Sequence, residues 1–146
     1  MPHQCVHKAE VKHQEMKKAA YFLLAMILLL SCSEGRDLSQ FSSDGASVAA
    51  EYFYELLAKG QGQAYVDNMQ EAASMDTCKY SQFVTLMEQF LHEEQELRGG
   101  ILTAKAERNT MEDTISMVYL NVHFGDSTRE EVVLPVVYTR GRWWIK

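Results

Sequence analysis

Hydrophobic periodicity changes once along this chain, at Gly99-Gly100, and that change limits the architectures open to it. Before the glycine pair, apolar residues recur three and four apart, which places them on one side of a helix. After it they alternate, as in strands with two distinct faces. Over about residues 45–59, Val48, Tyr52 and Leu56 join Ala49, Phe53 and Leu57 in a broad apolar face. Asp44 is the expected N-cap and Gly60-Gln61-Gly62 the stop. A short second helix is expected near 63–70, with Ala64, Tyr65 and Met69 turned inward. Asp76 or Thr77 opens the longest helix, about 78–97, whose stripe is Tyr80, Phe83, Val84, Met87, Phe90 and Leu91.

Strands are expected over about 101–108, 114–124, 129–139 and 142–146, with hairpin turns at Gly125-Asp126 and Arg140-Gly141. Links this short make an antiparallel meander. Pro135, which has no N–H to donate, calls for an edge or a bulge in the third strand. Three helices followed by four strands give an α+β fold, with N-terminal helices packed on one face of a curved antiparallel sheet of about four strands.

A uniformly apolar run, Ala19 to Leu30, lies upstream of all this. Its twelve residues would make a helix about 18 Å long, short of a hydrocarbon core of about 30 Å. Lys17 and Lys18 precede it and Ser31-Cys32 ends it, the layout of a secretory signal. "LLSC" (Leu29 to Cys32) resembles the lipobox of bacterial lipoproteins. That resemblance implies a diacylglyceryl group, with palmitate among its acyl chains, on Cys32, which becomes the N-terminus after cleavage. The expected organisation is therefore an upstream extension and signal peptide over 1–31, a lipidated cysteine and flexible tether over 32–43, and a folded domain over 44–146. The polar stretch before Met16 is either a start placed too early or a long n-region, and it is removed in both cases. His3, His7, His13 and Cys5 go with it.

From Cys32 onward the chain carries ten Lys and Arg against eighteen Asp and Glu. So acidic a domain offers no electrostatic footprint for nucleic acid, and membrane contact is expected through lipid alone. With Cys32 acylated, Cys78 is the one remaining thiol, which leaves no intrachain disulfide.

Three segments resemble the nuclear-transport-factor-2-like (cystatin-like) superfamily, in particular its small bacterial envelope lipoproteins. "AAEYFYELLAKGQGQAY" (Ala49 to Tyr65) is similar to the first helix, glycine break and second helix of those proteins. "GGI" (Gly99 to Ile101) resembles their entry to the first strand, and "GRWWI" (Gly141 to Ile145) their closing strand. The resemblance implies a cone-shaped fold whose sheet wraps a pocket. The superfamily holds isomerases, dehydratases, transport factors and binding modules, so fold alone does not assign function.

The chemistry-bearing residues are scattered. His92 and Glu96 share a helix face but lack a third ligand, and "HEEQE" (His92 to Glu96) reads as a wet helix end. Asp67 is the one acid placed to look inward. Cys78, at a helix start, is expected to be a partly buried structural thiol. On the second strand, His123, Asn121, Tyr119 and Met117 fall on one face, where His123 and Tyr119 are candidate ligand or partner contacts. On the last strand Trp143 and Ile145 share the core face, and Trp144, on the other, is the third candidate contact. No catalytic motif, metal site or cofactor signature emerges. The expectation is a lipid-anchored protein of the bacterial cell envelope, in the outer membrane on its periplasmic or surface side. It would be non-enzymatic and bind a small apolar ligand or a protein partner, with homodimerisation through the sheet face also open. The alternative is a cone-fold isomerase, dehydratase or hydrolase-like enzyme.

Overall fold

The computed structural model describes residues 36–146. The expected signal peptide, its upstream extension and Cys32 lie outside the described residues. Helix α1 (Ser43–Ala58) leads to α2 (Gly62–Asp67), a 3-10 turn (Ala72–Ser74) and α3 (Thr77–Arg98). Strands β1 (Ile101–Glu112), β2 (Ile115–Phe124), β3 (Arg129–Thr139) and β4 (Arg142–Ile145) follow, as an antiparallel sheet in the order β1-β2-β3-β4. The α+β meander expected from the periodicity is what forms.

Local chemistry sets the element ends. Ser42, extended at φ −160°, caps α1 by accepting the Gly45 N–H at 2.9 Å. Asp44, the expected cap, instead sits in the first turn, where a carboxylate favours the positive end of the helix dipole. Asp76 caps α3 by accepting the Lys79 N–H. Gly99 then stops α3 in the left-handed region, at φ 72°, and Gly99 and Gly100 return N–H groups to Gln95 and Glu94. Arg140 and Gly141, at φ 53° and 77°, make the primed turn that joins β3 to β4.

The core lies between α1 and one face of the sheet. Ala46, Ala49 and Ala50 are fully buried, and their small side chains let α1 lie close to the strands. Phe53 and Leu57 continue that face. The sheet answers with Val118, Leu120, Val122 and Phe124 of β2, Leu134 and Val136 of β3, and Trp143 and Ile145 of β4. Trp143 is fully buried, as the alternation on β4 predicts.

Three expectations about packing and exposure also change. The tether expected over 33–43 is bound to the domain in its described part. Leu38 O accepts the Trp143 N–H, Gln40 O accepts the Trp143 indole, and Ser39 O accepts the Tyr138 hydroxyl. Phe41 stacks on Trp143 with ring centroids 6.0 Å apart. The polar composition hid this because the strap docks mainly through backbone carbonyls. Second, α3 does not lie across the sheet. It packs on α2 and meets β1 only near its own end, so its stripe is half-buried, with Phe90 largely open. Third, Cys78 is exposed.

Pro135 is accommodated within an interior strand. One residue's N–H and C=O project to the same side of a strand, and Pro135 O accepts from Lys146 N, on the β4 side. Its missing donor therefore faces the point where pairing with β4 ends, and no bond to β2 is lost.

Candidate functional site

The face of the sheet turned away from α1 carries no covering element among the described residues. Register assigns its side chains. Tyr119 is paired with Val133 and Arg108, Met117 with Pro135 and Thr110, Ile115 with Val137, and Val137 with Trp144. Asn121 lies between Lys105 and Glu131, and His123 between Thr103 and Arg129.

The face divides into two halves. Around Asn121 it is polar: the Asn121 amide donates to Glu107 Oε1 at 2.7 Å, while its own Oδ1 is buried without a partner. The Arg108 guanidinium lies 3.4 Å over the Tyr119 ring and 3.1 Å from Glu131 Oε1, a cation held by a π face and a carboxylate together. Beyond Tyr119 the face is apolar. Met117 and Val133 are 38% and 39% exposed, large fractions for side chains of their type in the middle of a sheet. Pro135, Ile115 and Trp144, each partly buried, extend the patch to the β4 edge around Val137, which is itself buried at 7% exposure.

The structure thus brings Tyr119, His123 and Trp144 to one face but not to one spot. His123 is eight residues along β2 from Ile115, the level at which Val137 and Trp144 sit, or roughly 27 Å at strand rise. Tyr119 stands at the border of the two halves. Trp144 is half-buried: its indole donates to Thr139 O at 2.9 Å and Arg142 lies 4.2 Å over its ring. Arg142 also donates to Asn68 Oδ1, tying α2 to β4. Arg108, Val133 and Pro135 are not among the contacts expected from the sequence. Alternation names the faces of each strand, but only the register aligns Val133 and Arg108 with Tyr119.

The other candidates lie apart. Asp67 is exposed and accepts the Tyr80 hydroxyl at 2.6 Å, which holds α2 to α3 and raises the Tyr80 pKa. His92 Nε2 is 3.3 Å from Glu96 Oε1 on the solvated end of α3. No group of three metal-ligating side chains forms among the described residues. A cleft of about 320 Å³ opens between α1 and β1, lined by Arg36, Glu51, Glu55, Lys59, Leu102 and Lys105. Its charges are mutually paired: Lys59 and Arg36 lie 2.7 and 2.8 Å from Glu55, and Lys105 lies 3.3 Å from Glu51. Lys59, then Arg36, holds the Glu55 carboxyl below its ordinary pKa. Among the described residues Tyr65 is buried and Tyr54 partly buried. Burial, reinforced by Glu130 and Glu94, pushes Tyr54 up to about 12, and burial raises Tyr65 as well, so both are protonated at neutral pH.

No protein-family model and no curated protein matches the chain in sequence. Among solved structures it is similar to a protein of Campylobacter jejuni described as a "Putative NTF2-like transpeptidase", at a TM-score of 0.56 and 11% identity. The match covers 66% of this chain and 93% of that one. At that identity the likeness concerns architecture alone, and it agrees with the helices and four-stranded meander described above: the chain has the NTF2-like fold.

Proposed function

We propose that this protein is a lipid-anchored domain of the bacterial cell envelope that binds a protein partner through the open face of its sheet, without chemistry of its own. The observation that carries the reading is the apolar half of that face, centred on Met117, Val133 and Pro135 and bordered by a charged half. An apolar centre with a polar rim suits a protein surface. A small apolar ligand is favoured less, because the cleft beside α1 is lined by ion pairs and the space under α1 is filled by side chains. The anchor rests on the lipobox-like Leu29 to Cys32.

The neighbour's name raises an enzymatic alternative. Acyl transfer needs a nucleophile activated by a base. Among the described residues, His92 pairs with Glu96, and the Cys78 thiol has Gln82 beside it. Neither arrangement activates a nucleophile.

Two measurements test the reading. Cys32→Ala is expected to abolish palmitate labelling and detergent partitioning; wild-type protein that stays unlabelled and aqueous removes the anchor. In a complementation series at matched abundance, Met117→Glu and Val133→Glu are expected to abolish function, because an unpaired charge in a desolvated contact costs several kcal/mol. His123→Ala and Asp67→Asn are expected to be silent. The reverse pattern replaces the binding module with an enzyme.

A further inference from the structure

α3 carries two apolar stripes, and the fold uses one. Tyr80, Val84, Met87 and Leu91 turn toward α2, where the Gly62 backbone lies so close that a Cβ there would stand 3.2 Å from Met87 Cγ. The second stripe runs some 90° around the helix. It comprises Lys79, Phe83, Leu86, Phe90, Glu93 and Leu97, at alternating spacings of four and three residues. Leu86 is 61% exposed, Phe90 38% and Leu97 77%. Single exposed apolar residues are ordinary, but a run of them at the seam spacing of a coiled coil is not.

We propose that α3 is a self-association helix, along which two copies of this chain pair antiparallel through this second stripe. The occupant follows from the symmetry of the stripe. Leu86 and Phe90 lie two residues either side of position 88, Phe83 and Glu93 five, and Lys79 and Leu97 nine. A two-fold axis at that level maps the stripe onto itself, setting Leu86 against Phe90 of the second copy at the centre. Charge selects the direction. The first half of α3, residues 77–87, holds Lys79 as its one charged side chain, while the second half holds Glu88, Glu93, Glu94 and Glu96 with Arg98. Antiparallel pairing sets Lys79 level with Leu97 of the second copy, next to its Glu96 and one helical turn from its Glu93, which stands level with Phe83. Parallel pairing would stack Lys79 on Lys79 and Glu93 on Glu93, both repulsive. This stripe shares no residue with the open sheet face.

The experiment uses the full chain with Cys78→Ser, in two differently tagged copies expressed together. Leu86→Cys in one copy and Phe90→Cys in the other are expected to form an intermolecular disulfide. Leu86→Cys with itself is expected to cross-link at least tenfold less, because only the mixed pair falls at one level. The background without added cysteine reports any linkage from elsewhere. Light scattering of the full chain in mild detergent is expected to give a dimer. Leu86→Glu should abolish it, while Thr85→Glu on the adjacent solvated side and Val133→Glu on the sheet face leave it intact. A monomeric wild type, self-linking of Leu86→Cys equal to the mixed pair, or a dimer lost with Val133→Glu and kept with Leu86→Glu would each overturn the proposal. Circular dichroism of Leu86→Glu checks folding, which so exposed a position should not disturb.

Discussion

The indole N–H of Trp143 donates to the carbonyl of Gln40 at 2.8 Å, joining residues 103 positions apart in sequence. The same carbonyl strand ahead of α1 receives the Trp143 backbone N–H at Leu38 and the Tyr138 hydroxyl at Ser39. Residues 38–41 therefore close the corner where β4 meets the core. If Cys32 carries lipid, six residue steps to Leu38 reach about 22 Å at most, which keeps that corner near the bilayer.

Removing the strap should weaken the domain measurably. A chain starting at Ser42, which keeps the cap of α1, leaves two donors of Trp143 without partners, and an orphaned buried donor costs about 1–3 kcal/mol. Urea unfolding followed by tryptophan fluorescence is expected to show a loss of at least about 2 kcal/mol relative to a chain starting at Arg36. A difference under about 0.5 kcal/mol would mean that the strap merely lies on the surface.

The two adjacent tryptophans should behave differently. Trp143 is fully buried, so Trp143→Ala is expected to cost about 3–5 kcal/mol. Trp144 is half-buried on the open face, and Trp144→Ala should cost about 1–2 kcal/mol, mostly from its contact with Val137 and its bond to Thr139. Equal losses in chemical denaturation would refute this assignment of the two faces of β4.

Gly99 and Gly125 touch backbone to backbone. A Cβ on Gly125 would come 2.3 Å from Gly99 O, and one on Gly99 would come 3.1 Å from Gly125 Cα in a left-handed backbone at φ +72°. Gly125→Ala and Gly99→Ala are each expected to lower stability by about 1–3 kcal/mol, through overpacking and backbone strain respectively. Thermal melts of both variants check it, with Gly60→Ala as a reference. Gly60 also has positive φ but nothing within 4 Å, so it reports strain without the clash.

Tyr54 should report on alkaline unfolding. Its folded pKa, about 12, lies above the ordinary value of 10, so folding favours the protonated phenol. That contribution is complete below about pH 10 and falls as pH rises toward 12. Tyr54→Phe is expected to flatten the stability loss between these limits. Absorbance titration should show one fewer late-ionising tyrosine. An unchanged profile would mean that Tyr54 ionises freely.

Much of the fold was legible because periodicity is local. The 3.6- and 2-residue repeats gave the order of helices and strands, and alternation alone separated Trp143 from Trp144. Gly99 and Gly141 announced their turns because few residue types tolerate positive φ. Legibility stopped where an element's face had to find a partner. The sequence shows that Phe83, Val84, Met87, Phe90 and Leu91 are apolar, but not whether α3 or α1 covers the sheet.

Tertiary structure decided that in favour of α1. Ala46, Ala49 and Ala50 let its axis approach the strands closely enough to fill the core face, which leaves α3 to pack on α2. Docking of residues 38–41 was likewise invisible, since it runs through backbone carbonyls that any sequence possesses. The candidate face shows the same division. Alternation put Tyr119 with His123 on one face of β2 and Trp144 opposite Trp143 on β4, and only the register made these one side of the sheet. Register, set by the hairpin turns and the shift between Ala106 and Arg108, put Arg108 over Tyr119 and separated His123 from Trp144 by most of a strand. Period is a property of neighbours in sequence and could be read there; burial and register depend on which surfaces meet, and only the folded chain settles them.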